Sequence, residues 1–286
     1  MTDDKPARRA RTVTRGRVER VERLTPHMIR IVLGGEGLAG FHAGEYTDHY
    51  VKLLFAPPGV SYPQPFDLEA IQRDLPREQW PTTRTYTVRR WDAEARELTL
   101  DVVHHGDSGL AGPWAGRVRP GEEISFFGPG GAYAPDPHAD WHLLAGDESA
   151  LPAMAASLER LPAGAPAWVF VEVAGPEEEQ RLDSPGDVKV VWLHRGSAPV
   201  GERLVRAVRE LDFPSGDVHA FVHGEAGFVR DLRRYLRTEL GIPLERLSIS
   251  GYWRLGRDDE SWRAGKQEWN RRIEEEEAAA LAGRAR

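Results

Sequence analysis

The hydrophobic pattern of this chain changes rhythm near residue 128, and that change limits the fold more than any other feature. From Val13 to Phe127 the apolar residues come in short β-branched or aromatic runs, VTRGRVERV, MIRIVLGG, HYVKLLFA, RTYTVRRW, ELTLDVVHH and EEISFFG, separated by Gly, Pro and Asp clusters. Runs of this kind are strands, and six at this spacing predict a small antiparallel barrel. After Trp141 the runs WHLLAG, AWVFVEV, VKVVWLH and HAFVHG are continuously apolar, the pattern of strands covered on both faces. Helical patterns lie between them. The clearest is EAGFVRDLRRYLRTELG, in which Phe228, Val229, Leu232, Tyr235, Leu236 and Leu240 fall on one face and Gly241 supplies the stop. Alternating strands and helices with short loops predict an open, mostly parallel, Rossmann-like α/β sheet with helices on both sides.

Between the two rhythms, GPGGAYAPDPHAD from Gly128 to Asp140 is rich in Gly and Pro and has no periodic apolar face, so it reads as a linker. The expected division is a β-barrel over residues 1–135, an α/β domain over 136–257 and a C-terminal helix over 258–286. That last segment is charged, yet Trp262, Trp269, Ile273 and Leu281 share one helical face, which predicts a terminal helix packed through its tryptophans on the second domain. There is no internal repeat.

A chain of 286 residues with 40% hydrophobic content can bury two ordinary cores. No run of about 18 apolar residues exists to span a membrane. The opening MTDDKPARRARTVTR lacks the apolar core of a secretory signal, so a cytoplasmic protein without integral membrane association is expected. Cysteine is absent, which excludes disulfides, thiolate zinc sites and cysteine-ligated iron–sulfur clusters; redox chemistry here would need an organic cofactor. A net charge of −7 argues against nucleic-acid binding. The locally basic start, Lys5, Arg8, Arg9, Arg11, Arg15, Arg17, Arg20, Arg23 and Arg30, reads as a solvated arm. His27, His42, His138 and His219 show no metal-ligand spacing and read as surface or satisfied core residues.

Two motifs carry chemistry in the first half. Arg84-Thr85-Tyr86-Thr87 opens a barrel strand and brings a cation for a pyrophosphate, an aromatic face for a ring system and a hydroxyl, with residues i and i+2 on a shared face. That set suits a flavin dinucleotide; taken alone, it also reads as an edge strand with surface arginines. About twenty residues later, His104 to Ala115 reads HHGDSGLAGPWA, a strand ending in a Gly-rich turn that opens a short helix, where free amides bind phosphate.

The order RxYT, strand, Gly-rich turn resembles the ferredoxin-reductase-like flavoproteins through both domains. The resemblance narrows to the siderophore-interacting proteins, the FAD-dependent ferric-siderophore reductases. Four features carry it: Val51-Lys52 in DHYVKLLF, RTYTVR, AGDESALPA from Ala145 to Ala153, and GYWRLG from Gly251 to Gly256. It implies FAD on the barrel, with Arg84 on the pyrophosphate, Tyr86 and Thr87 as the catalytic pair at the flavin, and Thr85, Asp101, Val103, His105, Gly109, Ala111, Gly112, Trp114 and Ala115 completing the cofactor site. It implies NADPH or NADH as donor, with a reduced ferredoxin as a second candidate. Lys52 and Arg254 would bind the ferric siderophore, and reduction would release Fe2+ in the cytoplasm. Two departures stand out: relatives usually carry serine at Gly112 and often a basic residue at Gly130.

The second domain is less specific. Gly146-Asp147-Glu148-Ser149-Ala150-Leu151-Pro152 follows a buried strand and opens a helix, where a dinucleotide phosphate sits in such folds. It lacks GxGxxG spacing, and Asp147 and Glu148 would repel a pyrophosphate, so a purely structural turn stays open. Arg195 follows the strand VKVVWLH, placed to meet a 2′-phosphate or to be an ordinary loop arginine. Glu225, in His223-Gly224-Glu225-Ala226, lies where relatives close over nicotinamide. Tyr252-Trp253-Arg254 reads either as an aromatic cap of the core or as Tyr252 over the flavin with Arg254 at the acceptor. Two rivals remain: an NAD(P)H:flavin or ferredoxin-type reductase with another acceptor, and a siderophore or flavin carrier without turnover.

Overall fold

The computed structural model describes residues 13–63 and 66–284; Lys5, Arg8, Arg9 and Arg11 of the basic run lie outside them. Strands β1 (Val13–Thr25), β2 (Met28–Gly34), β3 (Tyr50–Phe55), β4 (Thr82–Asp92), β5 (Glu97–Val103) and β6 (Glu123–Gly130) close into a barrel in the order β1-β2-β5-β4-β3-β6. Every pairing is antiparallel. Alternate residues point inward, so Ile31, Leu33, Val51, Leu53, Leu98, Leu100 and Phe126 fill the interior at full burial, and closure leaves no unpaired strand edge.

The basic run is not a solvated arm from Val13 onward. It lies on β1 and β2, where Arg15 pairs with Glu123 and Arg30 with Asp101 on neighbouring strands, and Arg20 reaches Glu97 across the intervening β2. Strand pairing places side chains far apart in sequence opposite one another, and charge density along the chain does not report that. Two short helices decorate the barrel. α1 (Leu68–Asp74), absent from the sequence expectation, starts at Asp67, whose carboxylate accepts from Ala70 N at 3.0 Å. α2 (Ala111–Arg117) follows the Gly-rich turn after β5.

The second half is a five-stranded parallel sheet, β7 (Trp141–Asp147), β8 (Pro166–Val173), β9 (Asp187–His194), β10 (Val218–Glu225) and β11 (Leu247–Trp253), in the order β11-β10-β7-β8-β9. One face buries a core with α4 (Glu202–Arg209) and α5 (Ala226–Arg234). The other buries a core with α3 (Leu151–Leu158). Two expectations are corrected here. β9, read as covered on both faces, is an edge strand whose exposure alternates, with Val191 37% exposed. β11 was not foreseen as a strand, because LSISGYW is too polar to look buried; it is the opposite edge.

α5 follows the expected stripe through Leu236, and Gly241 stops it at φ 74°. Leu240 departs: residues Tyr235–Glu239 form a π-helical turn, which slips the helical phase by about one residue and leaves Leu240 41% exposed. α6 (Asp259–Arg284) is the predicted terminal helix. It buries Trp262 and Ile273, sets Trp262 edge-on to Trp269 at 5.3 Å, and ties to α5 through Arg233 and Arg237 on Glu277. Among the described residues no helix is long and apolar enough to cross a membrane.

Polar clamps join the halves. Asp48 Oδ1 accepts from the amides of Ala132 and Tyr133 at 2.8 and 2.9 Å, ordering the linker. Glu178, fully buried after β8, accepts from Thr25 Oγ1 and is bonded to His27 Nδ1 on the barrel, both at 2.5 Å.

Candidate functional site

The register of β3 against β4 organises the site. Leu53 pairs with Arg84, Lys52 with Thr85, Val51 with Tyr86 and Tyr50 with Thr87. Residues directly opposite share a face. Arg84 and Tyr86 therefore lie on the side of the fully buried Val51 and Leu53, at the rim of the barrel core, and Tyr86 packs against that core. Thr85 and Thr87 lie on the outer face with Lys52 and Tyr50. The pleat thus splits the tetrad across two faces, where the sequence reading had one strand face supplying all its groups. Burial pushes the Tyr86 phenol up, partly offset by the Arg84 guanidinium, so Tyr86 stays neutral.

The Gly-rich turn sits at the same end of the barrel. Trp114 of α2 packs edge-on against Phe55 at 5.7 Å, and Phe55 pairs with Thr82, two residues before Arg84. Ala111 and Ala115 are buried, Ala115 within the barrel core. Leu110 precedes the helix without a side-chain cap, so the leading amides are unmet by that route. Gly106 and Gly109 take φ of 78° and 82°, and a Cβ on either would meet nothing within 4 Å. At Gly112 a Cβ would lie 3.5 Å from Val103 O, an ordinary contact, so packing does not forbid the serine usual there. His105 is exposed, its Nδ1 3.1 Å from Ser108 Oγ. These residues fit an FAD: a cation and an aromatic at the rim, and an open, uncapped turn within reach for phosphate.

Two neighbours of Arg84 were not foreseen. Its Nη1 is 2.7 Å from Glu260 and 3.3 Å from Asp259, both in the first turn of α6, and Arg263 donates to Thr83 O and Oγ1 at 3.0 and 2.6 Å. The terminal helix therefore crosses the start of β4. The available signal was the spacing of Asp259, Glu260 and Arg263 at the head of a helix; its partner strand lies about 175 residues away in sequence, and only the fold brings them together.

Asp101 and Val103 behave differently from the rest of the expected cofactor set. Asp101, buried on β5, holds Arg30 through two bonds of 2.7 Å and lines a cavity of about 340 Å³ between the domains with Arg89, Leu151, Pro152 and Arg181. Val103 pairs with Met28 at the end of β5.

At the carboxyl ends of β7 and β10 the carboxylates face inward. Asp147 is fully buried: Oδ1 accepts from Ser149 N and Oγ at 2.9 and 2.5 Å, and Oδ2 from Glu225 N and Trp253 Nε1, each at 2.8 Å. Burial pushes its pKa up to about 6 despite those donors. Glu225 caps α5 through Gly227 N and Phe228 N and accepts from Leu255 N at 3.2 Å. Asp147 and Glu225 thus hold the end of β11 and the residues that follow it, through Trp253 Nε1 and Leu255 N. Gly146 admits no side chain, since a Cβ would lie 2.6 Å from Ala150 Cβ and 2.7 Å from His223 O. Arg195 is engaged by Glu148 at 2.8 Å and Glu172 at 3.3 Å, so a 2′-phosphate would have to displace Glu148.

Tyr252 lies edge-on to His223 at 5.0 Å, and His223 stacks on Phe221 at 3.8 Å. Trp262 Nε1 donates to Tyr252 O at 3.1 Å. Gly130, where a basic side chain was noted as missing, is overlaid by Tyr50: a Cβ there would lie 2.5 Å from Tyr50 Cζ. Lys52 Nζ sits 5.8 Å from the same ring. The outer face of β3 and β4 thus gathers Lys52, Tyr50, Thr85 and Thr87.

Comparison with known proteins gives the same outline. Residues 17–133 match the siderophore-interacting FAD-binding domain and residues 139–256 match the siderophore-interacting protein model. The ferric vibriobactin reductase ViuB of Vibrio cholerae is 34% identical over 244 residues, covering 84% of this chain and 88% of that protein. The NADPH-dependent ferric-chelate reductase of Escherichia coli is 30% identical over 241 residues, covering 82% and 91%. The crystal structure of a siderophore utilization protein from T. fusca superimposes with a TM-score of 0.75 at 38% identity, covering 87% of this chain and 95% of that one. With a barrel matching an FAD-binding domain and a sheet domain matching the family model, this chain belongs to the siderophore-interacting protein family.

Proposed function

We propose that this protein is an FAD-dependent reductase of ferric siderophores, taking electrons from NADPH or NADH and releasing Fe2+ in the cytoplasm. The observation that carries the reading is the placement of Lys52 directly across β3–β4 from Thr85 and next to the Tyr50–Thr87 pair. A cation there stands about 5 Å, one strand spacing, from the strand expected to hold the flavin. Arg254, half-exposed just after β11, stands between Trp253, whose Nε1 donates to Asp147, and Leu255, whose amide donates to Glu225. The names of the two reductase relatives support the acceptor, and the E. coli relative supports NADPH as donor.

When bound, FAD supplies the conversion of a two-electron hydride donor into single electrons for iron. The chain does the rest by binding and orienting. Arg84 and the α2 turn hold phosphates. Tyr86, kept neutral by burial, offers a ring face without a competing charge. Lys52 and Arg254 draw an anionic chelate to the outer face. Transfer of one electron turns Fe3+ into Fe2+, a less charged ion that hard oxygen donors hold far less tightly, and the ligand leaves intact.

The test is anaerobic mixing of the purified protein with NADH, NADPH and a panel of ferric chelates, following flavin absorbance and trapped Fe2+. The Lys52→Ala/Arg254→Ala double variant should keep its FAD and its reduction by the donor while slowing on anionic chelates, with a loss that shrinks as ionic strength passes about 0.15 M. Donor oxidation without any Fe2+ would remove the acceptor assignment.

A further inference from the structure

Glu148, Glu172 and Arg195 meet across the carboxyl end of the parallel sheet. Glu148 follows β7, Glu172 is the second-last residue of β8, and Arg195 follows β9. β8 lies between β7 and β9, so Arg195 reaches back over its end: Nη2 is 2.8 Å from Glu148 Oε1, and Nη1 is 3.3 Å from Glu172 Oε1. Glu172 is fully buried, and the same Oε1 accepts from Gly201 N at 2.8 Å. Its other oxygen, Oε2, is buried without a hydrogen-bond partner among the described residues. One residue before Arg195, His194 Nε2 lies 2.7 Å from Glu179 Oε1.

Dinucleotides bind outside the carboxyl ends of such strands, where a carboxylate near the end of the second strand accepts from a ribose 2′-hydroxyl and an available arginine accommodates a 2′-phosphate. β8 is the second strand of this α/β half, and the chain carries both kinds of residue there. Their contact decides between them. Arg195 is anchored: swinging out would leave Glu172, buried with one oxygen already unmet, without the guanidinium that pairs it, which is costly. A 2′-phosphate could therefore reach Arg195 only at Nη2, the place that Glu148 holds. Glu148, Glu172 and Glu179 stand against one guanidinium and one imidazole, so the cluster stays negative in either form of His194. A 2′-phosphate would add like charge to it, which is strongly disfavoured. A 2′-hydroxyl brings a donor and no charge.

We propose that the electron donor is NADH and that Glu148 selects it: held by Arg195, its carboxylate accepts from the 2′-hydroxyl of the adenosine ribose and turns away a 2′-phosphate. The inference rests on the nicotinamide-donor part of the reading above and deepens it. Glu172 is a positioning residue, which acts through Arg195 and touches no nucleotide. The assignment separates this chain from the Escherichia coli relative, whose name carries NADPH. It also gives a use to a carboxylate that stands in a turn where such folds seat phosphate.

The test uses the FAD-loaded full chain and two redox-inert analogues that differ only in the 2′-phosphate, tetrahydro-NAD and tetrahydro-NADP, titrated by calorimetry. Wild type should bind tetrahydro-NAD about 10- to 100-fold more tightly than tetrahydro-NADP. Glu148→Gln keeps the shape and an acceptor oxygen but removes the charge. It should tighten tetrahydro-NADP about tenfold and leave tetrahydro-NAD nearly unchanged. Adding Arg195→Met to Glu148→Gln should abolish that gain, because the released Nη2 is what receives the phosphate. Stopped-flow reduction of the flavin should place the preference in the Kd for NADH over NADPH and leave the limiting rates alike, since the 2′ position lies far from the transferred hydride. Equal or tighter binding of tetrahydro-NADP by wild type would overturn the inference and leave the functional reading intact. An equal loss of both analogues in Glu148→Gln would overturn it by making Glu148 a structural support of the turn. If wild type binds neither analogue and neither nucleotide reduces its flavin, the nicotinamide-donor part of the functional reading itself fails, and this inference with it.

Discussion

Arg84 is placed to serve two masters, and the competition can be measured. Its side chain is 13% exposed, whereas Glu260, which accepts from it at 2.7 Å, is 56% exposed. An ion pair with one well-solvated partner is worth only about 0.2–1 kcal/mol. A charge-assisted bond from the same guanidinium to an FAD phosphate is worth about 1.5–3 kcal/mol. FAD therefore wins, at the cost of the Glu260 contact. Glu260→Gln should tighten FAD about 1.4- to 5-fold, and Arg84→Ala should weaken it about 10- to more than 100-fold. The decisive measurement is a double-mutant cycle on FAD affinity, by fluorescence titration of the apoprotein at low salt. In the Arg84→Ala background Glu260→Gln should have no effect, because the group it competes for is gone. An equal gain in both backgrounds would refute the competition, and weaker FAD binding in Glu260→Gln alone would show that the first turn of α6 supports the cofactor.

Three further outcomes follow from buried groups. His142 is fully buried, neither ring nitrogen has a partner among the described residues, and burial depresses its pKa to about 4. The stability this contributes is complete above the unfolded value of about 6.5 and is lost as pH falls toward 4, about 2 kcal/mol of it by pH 5. Urea melts at pH 7.5 and pH 5 should show His142→Phe losing that much less than wild type; the comparison is needed because Asp147, raised to about 6, acts in the opposite sense, costing stability as pH climbs from about 4 to 6. Asp147→Asn sets an amide NH2 against Glu225 N and Trp253 Nε1, which share Oδ2 as acceptor, or, flipped, against Ser149 N on Oδ1, and should cost about 2–4 kcal/mol, with a shifted tryptophan emission where Trp253 comes loose; unchanged stability and emission would mean the staple is dispensable. Gly224 has φ of 138°, and a Cβ there would lie 2.6 Å from Phe228 Cζ and 2.7 Å from Asp147 Cγ, so Gly224→Ala should lower the urea midpoint more than any of the surface changes above.

Strand identity was legible because it is a local property. The six barrel runs and four of the five sheet strands declare themselves through β-branched residues and the Gly, Pro and Asp breaks between them, and α6 declares itself through a tryptophan stripe. What failed was equally local in cause. LSISGYW is an edge strand with serines where a buried strand would have valines. The π-turn at Tyr235–Glu239 slipped the phase of α5, which periodicity counting assumes to be uniform. α1 sits in a loop with only Asp67 as a signal.

The candidate site was legible as a set of residues and not as an arrangement. Arg84, Tyr86, the Gly-rich turn and Lys52 are readable as chemistry in the sequence. Which of them share a face is decided by the β3–β4 register, which puts Lys52 with Thr85 and Tyr50 with Thr87 while turning Arg84 and Tyr86 toward the core. Asp147 and Glu148 looked like repulsive groups in a phosphate loop; folded, Asp147 accepts hydrogen bonds inside the protein and Glu148 pairs with Arg195. Glu260 and Lys266 meet β4 and β11 only because α6 packs back across both domains. Local propensity acts over a few residues and can be read along the chain, whereas pairing register and helix docking depend on burying surfaces far apart in sequence, so those were decided by the tertiary structure alone.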